Sequence, residues 1–369
     1  MVSSRMHPGF RFLVCLICAT LWAPTGRAAL RAEMAEAAGG AKPEPSPSTP
    51  VGAIGEVIQA GARLIGKGNK AEPNPRDFQE AEPKGTSSSS AKKAAVAAIP
   101  MDQLTPENKQ RVNTLLKNAS FYRRLPKVTF AIEPEVYSYF VSHPDVAVSI
   151  WRAMKISKLE MWQTGRFDYE ADTGDGSTGK LEVLHAGVEK NVVTCDGMYK
   201  SPLFKQPIAA QSLLLLQTSF FREADGTVYV THRADLFISF PSQTVDVVSK
   251  IFSPLAVSMT DRTFTEISLF LKMMSMAMSR RPDWVEQIAD KMEGVPEVRK
   301  SQVLELTSQV YSSAQKRAVE RVAEKEDTST SSRGSFRSEA TPIPTSASGG
   351  GALPAGGSAP GTARLGGEE

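Results

Sequence analysis

Three short stretches of the chain carry side chains able to do chemistry. The first is Thr-His-Arg-Ala-Asp at 231–235. On a strand, Arg233 and Asp235 share one face and His232 takes the other. Pointing inward, His232 orients a ligand carbonyl or acts as a base. Pointing outward, it belongs to a solvated strand face with a cross-strand ion pair. The second stretch holds Met273, Met274, Met276 and Met278. Thioethers are soft copper ligands, but they must converge on one point. Adjacent helical residues diverge by about 100°, and the nearest histidine in sequence is His232. The spacing therefore points to a core or cavity wall. The third is Cys195 in Val-Val-Thr-Cys-Asp-Gly-Met-Tyr. It sits on a strand-like run with no His or Asn motif beside it, and it reads as a small buried hydrophobe.

Other chemistry is not encoded in recognisable form. The remaining histidines are His7, His143 and His185, too scattered for a metal set. No His-Glu-x-x-His, Gly-x-Ser-x-Gly or phosphate-cradling loop appears. Gly-Asp-Gly-Ser-Thr-Gly at 174–179 lacks a following Lys-Ser/Thr and reads as a turn. Glu266 falls near the start of a predicted helix, solvated and favoured by its dipole. The expectation is a chain with no catalytic residues, no metal and no cofactor.

The elements that must position these residues follow from periodicity. Thr105 caps a helix with Pro106 at its first position. Lys127–Ile132 alternates as a strand, and two short helices meet at His143-Pro144. Long β-rich runs then succeed one another over 159–172, 180–200, 209–223 and 228–240, an antiparallel meander. The second of these makes one strand or two, bent at Gly187. A short helix over 243–255 follows. The long helix, capped at Thr260 or Asp261, runs to the break at Pro282. On it Phe264, Ile267, Leu271, Met274 and Met278 share one face, and Met273, Met276 and Ala277 widen the apolar surface.

The ends of the chain differ from its middle. Residues 1–28 read as a signal peptide: Arg5 and Arg11 precede an apolar run from Phe12 to Ala23, with cleavage near Ala28. The protein is then exported, periplasmic or secreted; the alternative is an uncleaved N-terminal anchor. Residues 29–99 read as a low-complexity linker with a short amphipathic helix at 51–68. That helix either makes a peripheral membrane or envelope contact or is a marginal helix in the arm. The expected α+β domain spans 100–295, a charged helix 296–326, and a disordered tail 327–369. Removing the signal leaves Cys195 alone, so no intramolecular disulfide forms. A net charge of +3 over 369 residues is too small to imply nucleic-acid binding.

The stretch Lys127–Trp151, with Pro134, Val136-Tyr137 and Trp151, resembles the opening of START-like (SRPBCC, helix-grip) domains. Tyr229–Phe240 and the following helices resemble their ending. The resemblance covers about 127–292, with two departures: an additional short helix before the closing one, and a strand count one short unless 180–200 folds into two. It implies a curved antiparallel sheet packed on a long C-terminal helix. It also implies a cavity between them for an apolar small molecule or lipid. The implied lining is Trp162, Leu214, Leu216, Tyr229, His232, Phe237, Phe264, Ile267, Leu271, Met274 and Met278. A solid helix-on-sheet core needs the same side chains, and that alternative makes the chain a structural or interaction protein of the envelope with no ligand.

Overall fold

A computed structural model describes residues 78–82, 84–174, 176–199, 207–241 and 254–334. The signal peptide, the helix at 51–68, nearly all of the helix at 243–255 and the tail beyond 334 lie outside the described residues. The chain divides into two compact units, Met1–Lys316 and Arg317–Glu369. Within the second, residues 317–334 are helical.

The first unit is α+β. The elements run β1 (Phe78–Glu82), α1 (Ser89–Ala98), α2 (Pro106–Asn118), β2 (Phe121–Arg124), β3 (Lys127–Ala131), α3 (Pro134–Ser142) and α4 (Pro144–Ala153). The meander follows as β4 (Glu160–Gln163), β5 (Asp168–Asp172), β6 (Ser177–Ala186), β7 (Lys190–Tyr199), β8 (Ile208–Arg222) and β9 (Val228–Ser239). Helices α5 (Pro254–Arg280), α6 (Pro282–Ala289) and α7 (Glu297–Gly334) close the series. Among the described residues, nine strands make one curved antiparallel sheet in the order β1-β3-β9-β8-β7-β6-β5-β4. Strand β2 shares the β9 edge with β3, so the sheet is eight strands wide.

Local chemistry explains the breaks. Thr105 Oγ1 accepts from Asn108 N at 3.2 Å and starts α2. Pro126 has no N–H to give the ladder, so it splits β2 from β3. Arg124 pairs with Asp235 and Val128 with His232, four steps against three. The extra residue is a bulge that exchanges the faces of β2 and β3. The 159–172 run is a hairpin of β4 and β5, and 180–200 does fold into two strands.

Both faces of the sheet are buried. One carries the larger core, built from Val128, Phe130, Val193, Leu214, Leu216, Val230 and Leu236 with side chains of α3 to α6 and the start of α7. The other carries Leu184, Val192, Leu213, Leu215, Tyr122 and Phe237 against Ala91 and Ala95 of α1 and Val112 and Leu115 of α2. Each large apolar side chain so enclosed contributes about 1.5–3 kcal/mol relative to exposure.

Three sequence expectations are corrected here. Phe78–Glu82 and Ser89–Ala98 are folded as β1 and α1 rather than linker. Ser88 Oγ accepts from Ala91 N and starts α1, and the small Ala91 and Ala95 bring it close to the sheet. The closing helix begins at Pro254, so Thr260 and Asp261 are inside it rather than caps. Asp261 instead accepts from Gly85 N at 2.9 Å and from Arg123 Nε at 3.0 Å. The helix expected at 296–326 starts at 297, runs on to Gly334, and buries Val303, Leu306 and Val310 in the larger core. Its part up to Lys316 therefore belongs to the first unit and is not an appendage after residue 295.

Candidate functional site

The site is built where α5 lies on the larger-core face of β8 and β9. Successive residues of β9 alternate, so His232 faces α5 and Asp235 faces α1. His232 is 2% exposed. Its Nδ1 lies 3.0 Å from Tyr137 Oη of α3, and its Nε2 lies 2.7 Å from Ser268 Oγ of α5. Tyr137 Oη is also 3.0 Å from Thr218 Oγ1 of β8. The rings of Phe130 and Phe264 stand against the imidazole at centroid distances of 5.2 and 4.8 Å.

The proton assignment follows from one fixed donor. Ser268 Oγ donates to Phe264 O at 2.9 Å, so it accepts from His232 Nε2–H. Nδ1 then accepts from Tyr137 Oη–H, and Tyr137 Oη accepts from Thr218 Oγ1–H. Every polar atom of this chain is used. Burial drives the His232 pKa down to about 3, and burial likewise pushes the Tyr137 phenol up. A neutral imidazole with both nitrogens engaged is not a free base, and it has no lone pair left for a ligand. Its work is positional: it ties α3 and α5 to β8 and β9.

Arg233 and Asp235 do share the opposite face, but that face is covered, not solvated. Asp235 has no exposed surface. It accepts from Tyr122 Oη at 2.7 Å, Arg124 Nε at 2.8 Å and Gln217 Nε2 at 3.2 Å. Arg124 Nη2 also reaches Ala91 O of α1 at 3.2 Å. Removing one partner of a buried ion pair is costly because the other charge is left uncompensated.

The structure gathers eight of the eleven residues implied as lining. Leu214, Leu216, Phe264, Ile267, Leu271, Met274 and Met278 belong to the larger core, and His232 sits among them. The other three are elsewhere. Phe237 is in the core on the α1–α2 side, its ring 5.0 Å from Tyr122. Tyr229 stands at the same alternation as Phe237 and stacks on Phe221 at 5.4 Å. Trp162 is 38% exposed, because Met161 is the inward residue of β4. The gathered side chains are packed tightly: Phe264, Met274, Met278 and Leu214 have no exposed surface at all.

Two polar atoms of α5 stand apart from this satisfied interior. Glu266 is 5% exposed, not solvated, because the helix starts twelve residues before it. Arg262 Nε donates to its Oε1 at 2.7 Å, while Oε2 is buried with no hydrogen-bond partner. Burial raises its pKa despite that arginine. Thr263, one turn earlier, is 2% exposed and its Oγ1 is also unpartnered. Sequence reasoning missed Thr263 and the partners Thr218 and Ser268. Ser268 was detectable as a hydroxyl four residues after Phe264 on an apolar face.

Among the described residues, no group of three or more His, Cys, Asp or Glu side chains is arranged to hold a metal ion. No known family model matches the chain, and no curated protein does.

Proposed function

We propose that the folded part is a non-catalytic binding protein of the helix-grip, START-like kind, exported from the cell, that holds an apolar small molecule or lipid against α5. The observation that carries this reading is the pair of unpartnered polar atoms on α5, Thr263 Oγ1 and Glu266 Oε2. A buried donor or acceptor left unmade costs about 1–3 kcal/mol, and such groups mark sites where something else supplies the bond. The rest of the α5 face is rich in methionine, a side chain that repacks around varied neighbours. The element order supports the same reading: a strand, two short helices, six antiparallel strands, then a long helix on the sheet. So does the strand order, which sets β3 beside β9. The export component rests on the sequence of residues 1–28.

A second reading is favoured by the packing itself. Phe264, Met274, Met278 and Leu214 have no exposed surface, as in a solid-core interaction protein of the envelope. Thermal melting across a panel of apolar molecules separates the two. A ligand that binds only the folded chain raises Tm with its concentration. A flat response across the panel supports the solid core.

A further inference from the structure

The unpartnered pair on α5 also specifies the end group of the molecule it would meet. Thr263 and Glu266 are three residues apart, neighbours on one helix face. Ser268, which faces His232, is about 200° further round the helix from Glu266. Phe270, one turn beyond Glu266, packs edge-on against Phe140 and Trp151 at 5.6 and 5.3 Å. The pair therefore lies on the α3–α4 side of α5, away from the closed histidine chain. Its two atoms are chemically complementary to a group that both gives and takes a hydrogen bond. Thr263 Oγ1 can donate or accept, and Glu266 Oε2 accepts as a carboxylate oxygen or donates when protonated. Glu266 Oε1 is already held by Arg262 Nε, so a second carboxylate placed at Oε2 would face a carboxyl group.

We propose that Thr263 and Glu266 form the polar anchor of the site and select ligands with an apolar body and one uncharged hydroxyl or amide head, against fatty carboxylates and plain hydrocarbons. This rests on the apolar-ligand reading above. The anchor works by geometry: two buried, unpaired atoms on adjacent turns meet one small head group, while the methionine face meets the chain behind it.

The test uses the full chain, delipidated and then titrated with 1-dodecanol, dodecanoate or dodecane, with binding read by native mass spectrometry and calorimetry. The proposal expects one dodecanol per chain, bound at least tenfold more tightly than dodecanoate or dodecane. T263V and E266L should each weaken dodecanol at least tenfold and leave dodecane unchanged. T263V should melt at or above the parent temperature, because it removes only a polar atom that has no partner. A lower melting temperature in T263V, a near-isosteric change, would mean the hydroxyl is already satisfied and would overturn the anchor. Equal binding of dodecanol and dodecane, indifferent to both variants, would overturn the anchor and leave the apolar-ligand reading standing. Tighter dodecanoate than dodecanol would also overturn the anchor. Failure of all three probes to bind would overturn both.

Discussion

Replacing His232 with glutamine should remove most of an acid-dependent loss of stability, and its size follows from the site. The imidazole is enclosed by Phe130, Phe264 and Tyr137 and stays neutral, with its pKa driven by burial to about 3. In the unfolded chain it titrates near its ordinary value, about 6.5. Between those values the unfolded chain binds the proton and the folded chain does not. The stability is therefore complete above about pH 6.5 and is lost as pH falls towards 3. From pH 7.5 to pH 5.0 the loss is about 2 kcal/mol, from 1.36 kcal/mol per pKa unit acting over about 1.5 units. Urea unfolding at pH 7.5, 6.5, 5.5 and 5.0 measures it, as a midpoint shift of roughly 1 M for a slope of 2 kcal/mol per molar. His232→Gln should be less stable at pH 7.5, since Tyr137 Oη loses its acceptor, but should show a shallower fall with pH by that amount. Comparing the two proteins cancels the shared contribution of His185, whose pKa burial also lowers. Parallel pH profiles for parent and variant would refute the reasoning, since they would mean that His232 titrates alike in both states.

Further outcomes follow from the same geometry. Arg124→Met leaves Asp235 buried without its main charge partner and should cost about 3–5 kcal/mol, read by urea unfolding at pH 7. Gly85→Ala should destabilise measurably, because a Cβ there would stand 2.4 Å from Arg124 O and 2.6 Å from Asp261 Oδ1; an unchanged Tm would show that the 84–88 segment does not hold α5. Met274→Trp overpacks a side chain with no exposed surface and should cost about 1–3 kcal/mol in urea unfolding. An unchanged midpoint would instead reveal room beside Met274.

Much of the meander was readable because its turns are chemically marked. Pro134, His143-Pro144, Gly187 and Gly226 fall at or beside the ends of elements. Alternation also placed His232 and Asp235 on opposite faces. The same alternation excludes Tyr229 and Phe237 from the face of His232, since each lies an odd number of residues away. They look like lining because β8 and β9 are buried on both sides, and there both faces are apolar. The run Leu213–Leu216 carries no period for that reason. The segment 78–98 was hidden by its composition. A five-residue edge strand gains its order from backbone pairing with β3, and a helix of Ser, Ala, Lys and one exposed Val docks through two methyl groups. Neither leaves an apolar pattern. The burial of Glu266 was not legible either, because it depends on the helix starting at Pro254 rather than at a polar cap.

Native mass spectrometry of the gently purified chain, followed by organic extraction, tests the central claim most directly. A near-stoichiometric apolar molecule, released on unfolding, is the result expected of a chain that holds its ligand against α5. A clean mass of the chain alone, with no uptake of any apolar molecule offered afterwards, would contradict it and leave the solid-core interaction protein.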